Sequence, residues 1–174
     1  MIIKRFRLAK MSYGLTLMTS VALFVPPIIL LAAYHAPLQE IQMVLGWTGG
    51  LLVLAYAAVW FWWRPIGFDV GRDELAIVWP SRIRTIHKAD IVSVQMITNP
   101  EFREAYGRGM RIGAGGLWGG FGLFKTRGVT FSMWISRIDH WVIVKVKRGR
   151  PLLITPSQPE RFIAAVDALR RGDL

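Results

Sequence analysis

The chain has 174 residues, 53% of them hydrophobic, and its 22 Lys and Arg against 11 Asp and Glu leave a net charge of +11. It contains no Cys, which excludes disulfides, thiolate metal sites and cysteine nucleophiles and leaves the redox compartment open. A charge of that sign suits an anionic membrane leaflet or a nucleic acid; two long apolar stretches favour the leaflet, and no nucleic-acid partner is expected.

Residues 1–10 carry Lys4, Arg5, Arg7 and Lys10, and no charged residue follows from Met11 to Gln39. The apolar stretch from Tyr13 to Tyr34 is too long for the h-region of a signal peptide, and no clear small-residue cleavage site follows it. It is expected to be retained as a transmembrane helix over 13–34. Pro26 and Pro27 lie near its middle. Each removes a backbone donor and crowds a carbonyl of the preceding turn, which predicts a kink around 24–28. The freed carbonyls then need a neighbouring helix, water, or hydroxyls such as Thr19 and Ser20.

His35 to Glu40 form a tight connection without Lys or Arg, and the second apolar stretch runs from Ile41 to Trp63 with no Asp, Glu, Lys or Arg. As a helix it would reach roughly 35 Å, enough for a hydrocarbon core of about 30 Å. It ends in Trp60, Phe61, Trp62 and Trp63 followed by Arg64, an aromatic belt and a cationic stop. Basic residues flank both helices while the loop has none, so a hairpin with both termini cytoplasmic is expected. Gly46 and Gly50 form a GxxxG pair, with Gly49 and Ala57 also small, so this face permits close backbone approach. The simplest partner is the chain's own first helix; a second copy or another integral membrane protein are the alternatives. His35 would be the one pigment or haem ligand on offer, but a lone interfacial His is more simply solvated. No cofactor is expected.

From Arg64 the period changes. Ile66, Phe68 and Val70, then Leu75, Ile77 and Trp79, alternate with smaller or polar residues across the Gly71-Arg72-Asp73 turn, a two-stranded meander. Further strands are expected at 82–87, 91–97, 129–136, 141–148 and 151–155, with a loop or short helix at 100–107. Ser157 and Glu160 have the spacing of a capping box, Pro159 suits a first helical turn, and Phe162, Ile163, Val166 and Leu169 make one apolar stripe. The expected fold is α+β: a hairpin at 1–63, then an antiparallel β-sandwich or partly open barrel at 64–174 with its C-terminal helix as a lid.

Three segments carry a family resemblance: IGFDVGRDELAIVWP at 66–80, RIGAGGLWGGFGLFKTRGVTFSMWIS at 111–136, and WVIVKVKRGRPLLITPSQPERFIAAV at 141–166. With the hairpin before them, they resemble the bacterial pleckstrin-homology-like membrane proteins. The resemblance covers 64–174 well and the hairpin only generally. It implies a pleckstrin-homology-like fold at the bacterial inner membrane, mostly unassigned functions and no catalytic residues to carry over.

The glycine run from Gly113 to Gly122 does not match a phosphate loop: Trp118 stands where a dinucleotide fingerprint needs Gly, and no G-K-[ST] follows. Turns and close packing explain it, with Trp118, Phe121 and Phe124 presented between the glycines, and the aromatic loop could also dip into a bilayer or grip a partner. The segment from Arg64 carries 18 basic and 10 acidic residues. Within it Arg82, Arg84, Lys145, Lys147, Arg148 and Arg150, with Trp118 and Phe121, are the candidate contacts for anionic lipid or a partner. His87 and His140 are isolated, Asp139 and His140 are read as strand neighbours pointing apart, and Glu101 and Glu104 are read as ion-paired. No nucleophile–base–acid set appears. The expected function is non-enzymatic: a membrane-anchored scaffold presenting a basic domain for protein or lipid contacts. The alternative is an accessory subunit of a larger respiratory, photosynthetic or transport complex.

Overall fold

The computed structural model describes residues 2–173, with the side chains of Ile2 and Ile3 left aside. It is an α+β chain of two long apolar helices and two sheets. Helix α1 spans Tyr13–His35 and α2 spans Gln39–Ala58, continued by a π-helical turn at Val59–Trp63. Both are long and apolar enough to cross a membrane, and only 11% of each apolar window is buried. Helix α1 runs unbroken through its two prolines. The Ala22 carbonyl, four residues before Pro26, has no N–H to accept from within the helix. It accepts instead from the Tyr56 hydroxyl of α2 at 2.9 Å, so the partner is the neighbouring helix and not the Thr19 or Ser20 hydroxyl.

The glycines of α2 divide. A Cβ on Gly49 would stand 2.7 Å from the Leu30 side chain, whereas Gly46 and Gly50 have nothing within 4 Å. The intrachain close approach is therefore made at Gly49, and the half-buried GxxxG pair is not closed against α1. Pro26 is buried, Pro27 exposed and Ala57 half-buried.

The first sheet has the order β1-β2-β3-β4, and β1 (Ile2–Arg7) precedes the hairpin. It pairs antiparallel with β2 (Gly67–Gly71), which pairs with β3 (Glu74–Val78) and that with β4 (Ile83–His87). Residues 2–7 were expected as a cationic flank of the hairpin; they are an edge strand of the domain. The second sheet has the order β5-β9-β10-β8-β7-β6. Its strands are β5 (Ile91–Ile97), β6 (Met110–Gly115), β7 (Gly120–Lys125), β8 (Thr130–Ile135), β9 (Trp141–Val146) and β10 (Leu152–Ile154). The glycine run thus forms two strands. Gly113 and Gly122 sit opposite each other at φ +134° and +127°, and a Cβ on either would collide with the facing backbone. β10 pairs parallel with β8, so the sheet is not wholly antiparallel. The two sheets do not close into a barrel.

Helix α4 (Pro159–Arg171) fills the space between the sheets. Phe162, Val166 and Leu169 are fully buried there, and the Phe162 ring meets Phe6 and Phe68 edge-on at 5.3 and 5.8 Å. Its N-cap is Gln158, without a side-chain cap, so the expected Ser157–Glu160 capping box does not form. Helix α3 (Asn99–Tyr106) does have such a start: Glu101 accepts from the Thr98 amide at 2.8 Å. Glu101 is a cap and not half of an ion pair. α3 covers the outer face of the second sheet, where Phe102 lies among Phe124, Phe131 and Trp141. The second sheet is thus covered on both faces, so β8 is buried along most of its length although its sequence alternates, and β10 is apolar throughout.

Filling Gly49 and filling Gly46 should differ in effect. Overpacking at a closed contact costs about 1–3 kcal/mol, so Gly49→Leu is expected to lower the Tm in detergent by roughly 3–10 °C, while Gly46→Leu leaves it nearly unchanged. Equal losses at both positions would contradict the observed helix pairing.

Candidate functional site

Three contacts clasp the β module to one end of the hairpin. At the exit of α2 the π turn leaves carbonyls without helical donors. The β3–β4 turn supplies them: Trp79 Nε1 donates to the Trp63 carbonyl at 3.2 Å, Ser81 Oγ to Phe61 at 2.8 Å and Arg82 Nη2 to Trp62 at 3.1 Å. The Arg82 guanidinium also lies over the Trp79 ring at 4.7 Å. Arg82, a candidate surface contact by sequence, is thus engaged in capping this helix.

At the start of α1 the link from β1 is pinned in the domain. The Ala9 amide donates to the Thr155 carbonyl at 2.8 Å, and the Ala9 carbonyl accepts from Ser136 Oγ at 2.7 Å. Ser136 and Thr155 are each 1% exposed, so these hydrogen bonds are shielded from water.

The third contact is made along the side of the hairpin by the β6–β7 turn, Gly116-Leu117-Trp118-Gly119. Thr19 Oγ1 donates to the Gly116 carbonyl at 3.0 Å and accepts from the Trp118 amide at 3.1 Å. The Trp118 ring packs edge-on against Trp60 at 5.0 Å and Tyr56 at 6.5 Å. Trp118 takes φ +57°, which costs a non-glycine residue about 1–2 kcal/mol and needs such contacts to hold it. Trp118 therefore grips its own hairpin. Phe121, expected beside it as a surface contact, is fully buried in the core between the sheets.

The clasp sorts the cations by distance from the hairpin. The near rim of the module comprises the β1–α1 link, the β3–β4, β6–β7 and β8–β9 turns, and the start of β2; it carries Arg7, Lys10, Arg64, Arg82 and Arg137. Arg84 is exposed on β4 just beyond it. β9 starts at the rim and runs away from it to the β9–β10 turn, so exposed Lys145, Lys147, Arg148 and Arg150 stand at the opposite end. Six residues of strand at about 3.3 Å each put them roughly 20 Å farther out, against a Debye length of about 8 Å at physiological salt. They do not belong to the same surface as the rim cations.

Sequence reasoning missed Arg7 and Arg64 as site residues. The Arg64 guanidinium lies over the Trp60 ring at 4.4 Å, its Nε is buried without a hydrogen-bond partner, and burial pushes its pKa down. A lone Arg directly after an aromatic belt was the available signal for it. Asp139 and His140 occupy a turn rather than a strand, with Nδ1 to Oδ2 at 3.6 Å. The Asp139 carboxylate accepts from the backbone amides of His140 and Asn99, which hold it below the usual carboxylate range. The Asp139 carboxylate thus caps this turn. Among the described residues no group of three or more His, Asp or Glu is placed to hold a metal. Comparison of the chain with family models, with curated proteins and with solved structures finds no match.

Thr19→Val keeps the shape of the side chain and leaves the Gly116 carbonyl and Trp118 amide unpaired. It is expected to cost about 1–3 kcal/mol and to speed amide exchange across 113–122. Unchanged exchange there would remove Thr19 from the clasp. The pH dependence has a defined sign. Asp139 binds its proton less readily folded than unfolded, so its contribution is complete above the ordinary carboxylate pKa and is lost as pH falls through the lower folded value. Asp139→Asn should flatten that acid limb of a stability–pH curve.

Proposed function

We propose that this protein is a non-enzymatic, membrane-anchored binding protein whose hairpin crosses the bacterial inner membrane and holds the β module against the cytoplasmic leaflet. The carrying observation is the exposure of apolar side chains around the hairpin, among them Leu17, Val21, Phe24, Ile28, Leu31, Val44, Leu51 and Leu54, each more than half exposed. An apolar surface of that extent is stable in hydrocarbon and not in water. Since β1 pairs with β2, both ends of the hairpin start from the same side, which suits the charge-free loop on the other. The module, two open sheets around one C-terminal helix, is read as a variant of the pleckstrin-homology-like fold.

On this reading the module has two working surfaces. Its near rim lies at headgroup depth, where each cation contributes about 1 kcal/mol of attraction to anionic lipid. Its far end, with Lys145, Lys147, Arg148 and Arg150, points into the cytoplasm and suits an acidic protein partner. The topology is tested with trypsin on sealed vesicles of known orientation. Cleavage at the 147–150 turn is expected in inverted vesicles and not in right-side-out ones, with the protein retained in the membrane pellet after carbonate. The reverse pattern of cleavage would place the module outside.

A second reading is favoured by the open Gly46–Gly50 face: an accessory subunit seated against a helix of a larger membrane complex or of a second copy. In a mild-detergent extract the protein should then migrate with a defined assembly. Gly46→Leu with Gly50→Leu should release it without lowering its own Tm; migration unchanged by that pair would reject the seat.

A further inference from the structure

We propose that a phosphate group, supplied by an anionic phospholipid headgroup, seats between Arg7 and Arg64 in a cavity of about 450 Å³ beside β1, β2 and β3. The inference rests on the bilayer reading of the hairpin and adds a site to it.

Strand register builds the cavity. Arg5 and Arg7, two apart on β1, share a face and stand opposite Asp69 and Gly67 of β2. Arg5 is held by Asp69 in a fork of 2.8 and 2.7 Å, so that carboxylate is already matched. Arg7 faces a glycine. A Cβ on Gly67 would lie 2.5 Å from the Phe6 carbonyl, so the close approach of β1 requires glycine there, and no side chain of β2 stands opposite Arg7. Among the described residues Arg7 has no ion-pair partner.

Arg64 supplies the second cation. It too lacks a carboxylate partner among the described residues, and its Nε is buried without an acceptor. A guanidinium without a carboxylate partner is free to pair with an anion entering the cavity that it lines. Two guanidiniums flanking one space match the oxygens of a phosphate. By contrast, the cavity of about 570 Å³ at the far end holds Lys88, Arg170 and Arg171, whose charges are met by Asp73, Asp167 and Asp173 at 2.6, 2.9 and 2.9 Å, which leaves Lys147 as its one cation without an ion pair among the described residues.

The remaining walls select the source of the phosphate. Leu8, Ile66 and Val78 line the same cavity, and Ile66 is 53% exposed. Arg64 directly follows the last turn of the apolar helix. Cations with an apolar flank at that depth fit a phosphodiester with its glycerol and first acyl carbons; a free phosphate would use the cations alone.

The test is native mass spectrometry of the full-length protein in a neutral detergent, offered phosphatidylglycerol or phosphatidylcholine. Wild type is expected to retain phosphatidylglycerol preferentially, and Arg7→Gln with Arg64→Gln to reduce that retention about tenfold. Arg148→Gln with Arg150→Gln should leave it unchanged. Arg64 also stacks on Trp60, so the exposed Arg7→Gln alone, expected to lose about threefold, covers misfolding of the double variant. Equal retention of both lipids, or retention unaffected by Arg7→Gln in a folded protein, overturns the site. A Tm raised by inorganic phosphate without phosphatidylglycerol preference overturns the lipid source. Carbonate extraction run in parallel separates the two layers. Wild type left in the pellet but lacking arginine-dependent retention loses only the site, whereas wild type washed from the membrane loses the anchor itself.

Discussion

The carbonyls at the end of α2 set the arrangement of everything that follows. A helix that stops must find donors for its last carbonyls or leave them to solvent. Here a π turn, closed by the Arg64 amide on the Val59 carbonyl at 2.9 Å, presents Phe61, Trp62 and Trp63 to three side chains of the β3–β4 turn. Those donors come from a different part of the chain, so capping the helix also orients the sheet. The Thr19 and Ala9 contacts add two further attachments between the hairpin and the module.

The hairpin solves its own polar problem in the same way. Tyr56 carries one hydroxyl, and that hydroxyl meets the carbonyl left open by Pro26. The same ring touches Trp118 from the β6–β7 turn. One residue thus connects the proline site, the helix pair and the loop.

The apolar helices, the α4 stripe and the strands of 66–97 and 129–155 were legible because their periods are undisturbed. β1 was hidden by its charge. Phe6 and Leu8 alternate with Arg5 and Arg7, but four cations before an apolar helix read first as a topology signal. β6 and β7 were hidden by glycine, which lowers strand propensity while allowing two backbones to meet at Gly113 and Gly122. The cations could be counted but not sorted, since whether Arg7 or Arg148 lies nearer the hairpin depends on the direction of each strand. The Gly46, Gly49 and Gly50 set was recognisable as small; which member touches α1 depends on helix rotation, which composition does not contain.

The position of β1 has a consequence for biosynthesis. Its pairing partner, β2, leaves the ribosome only after both apolar helices, so the first seven residues wait while about sixty others are made. Phe6 must then return to cover Phe162 and Phe68, and Arg5 to neutralise Asp69. A translation product begun at Arg64 would lack this edge and present a bare carboxylate beside an open aromatic core. The amino-terminal tail therefore cannot join the β module until the whole hairpin has been made, and its ring contact with Phe162 waits until the last helix is complete.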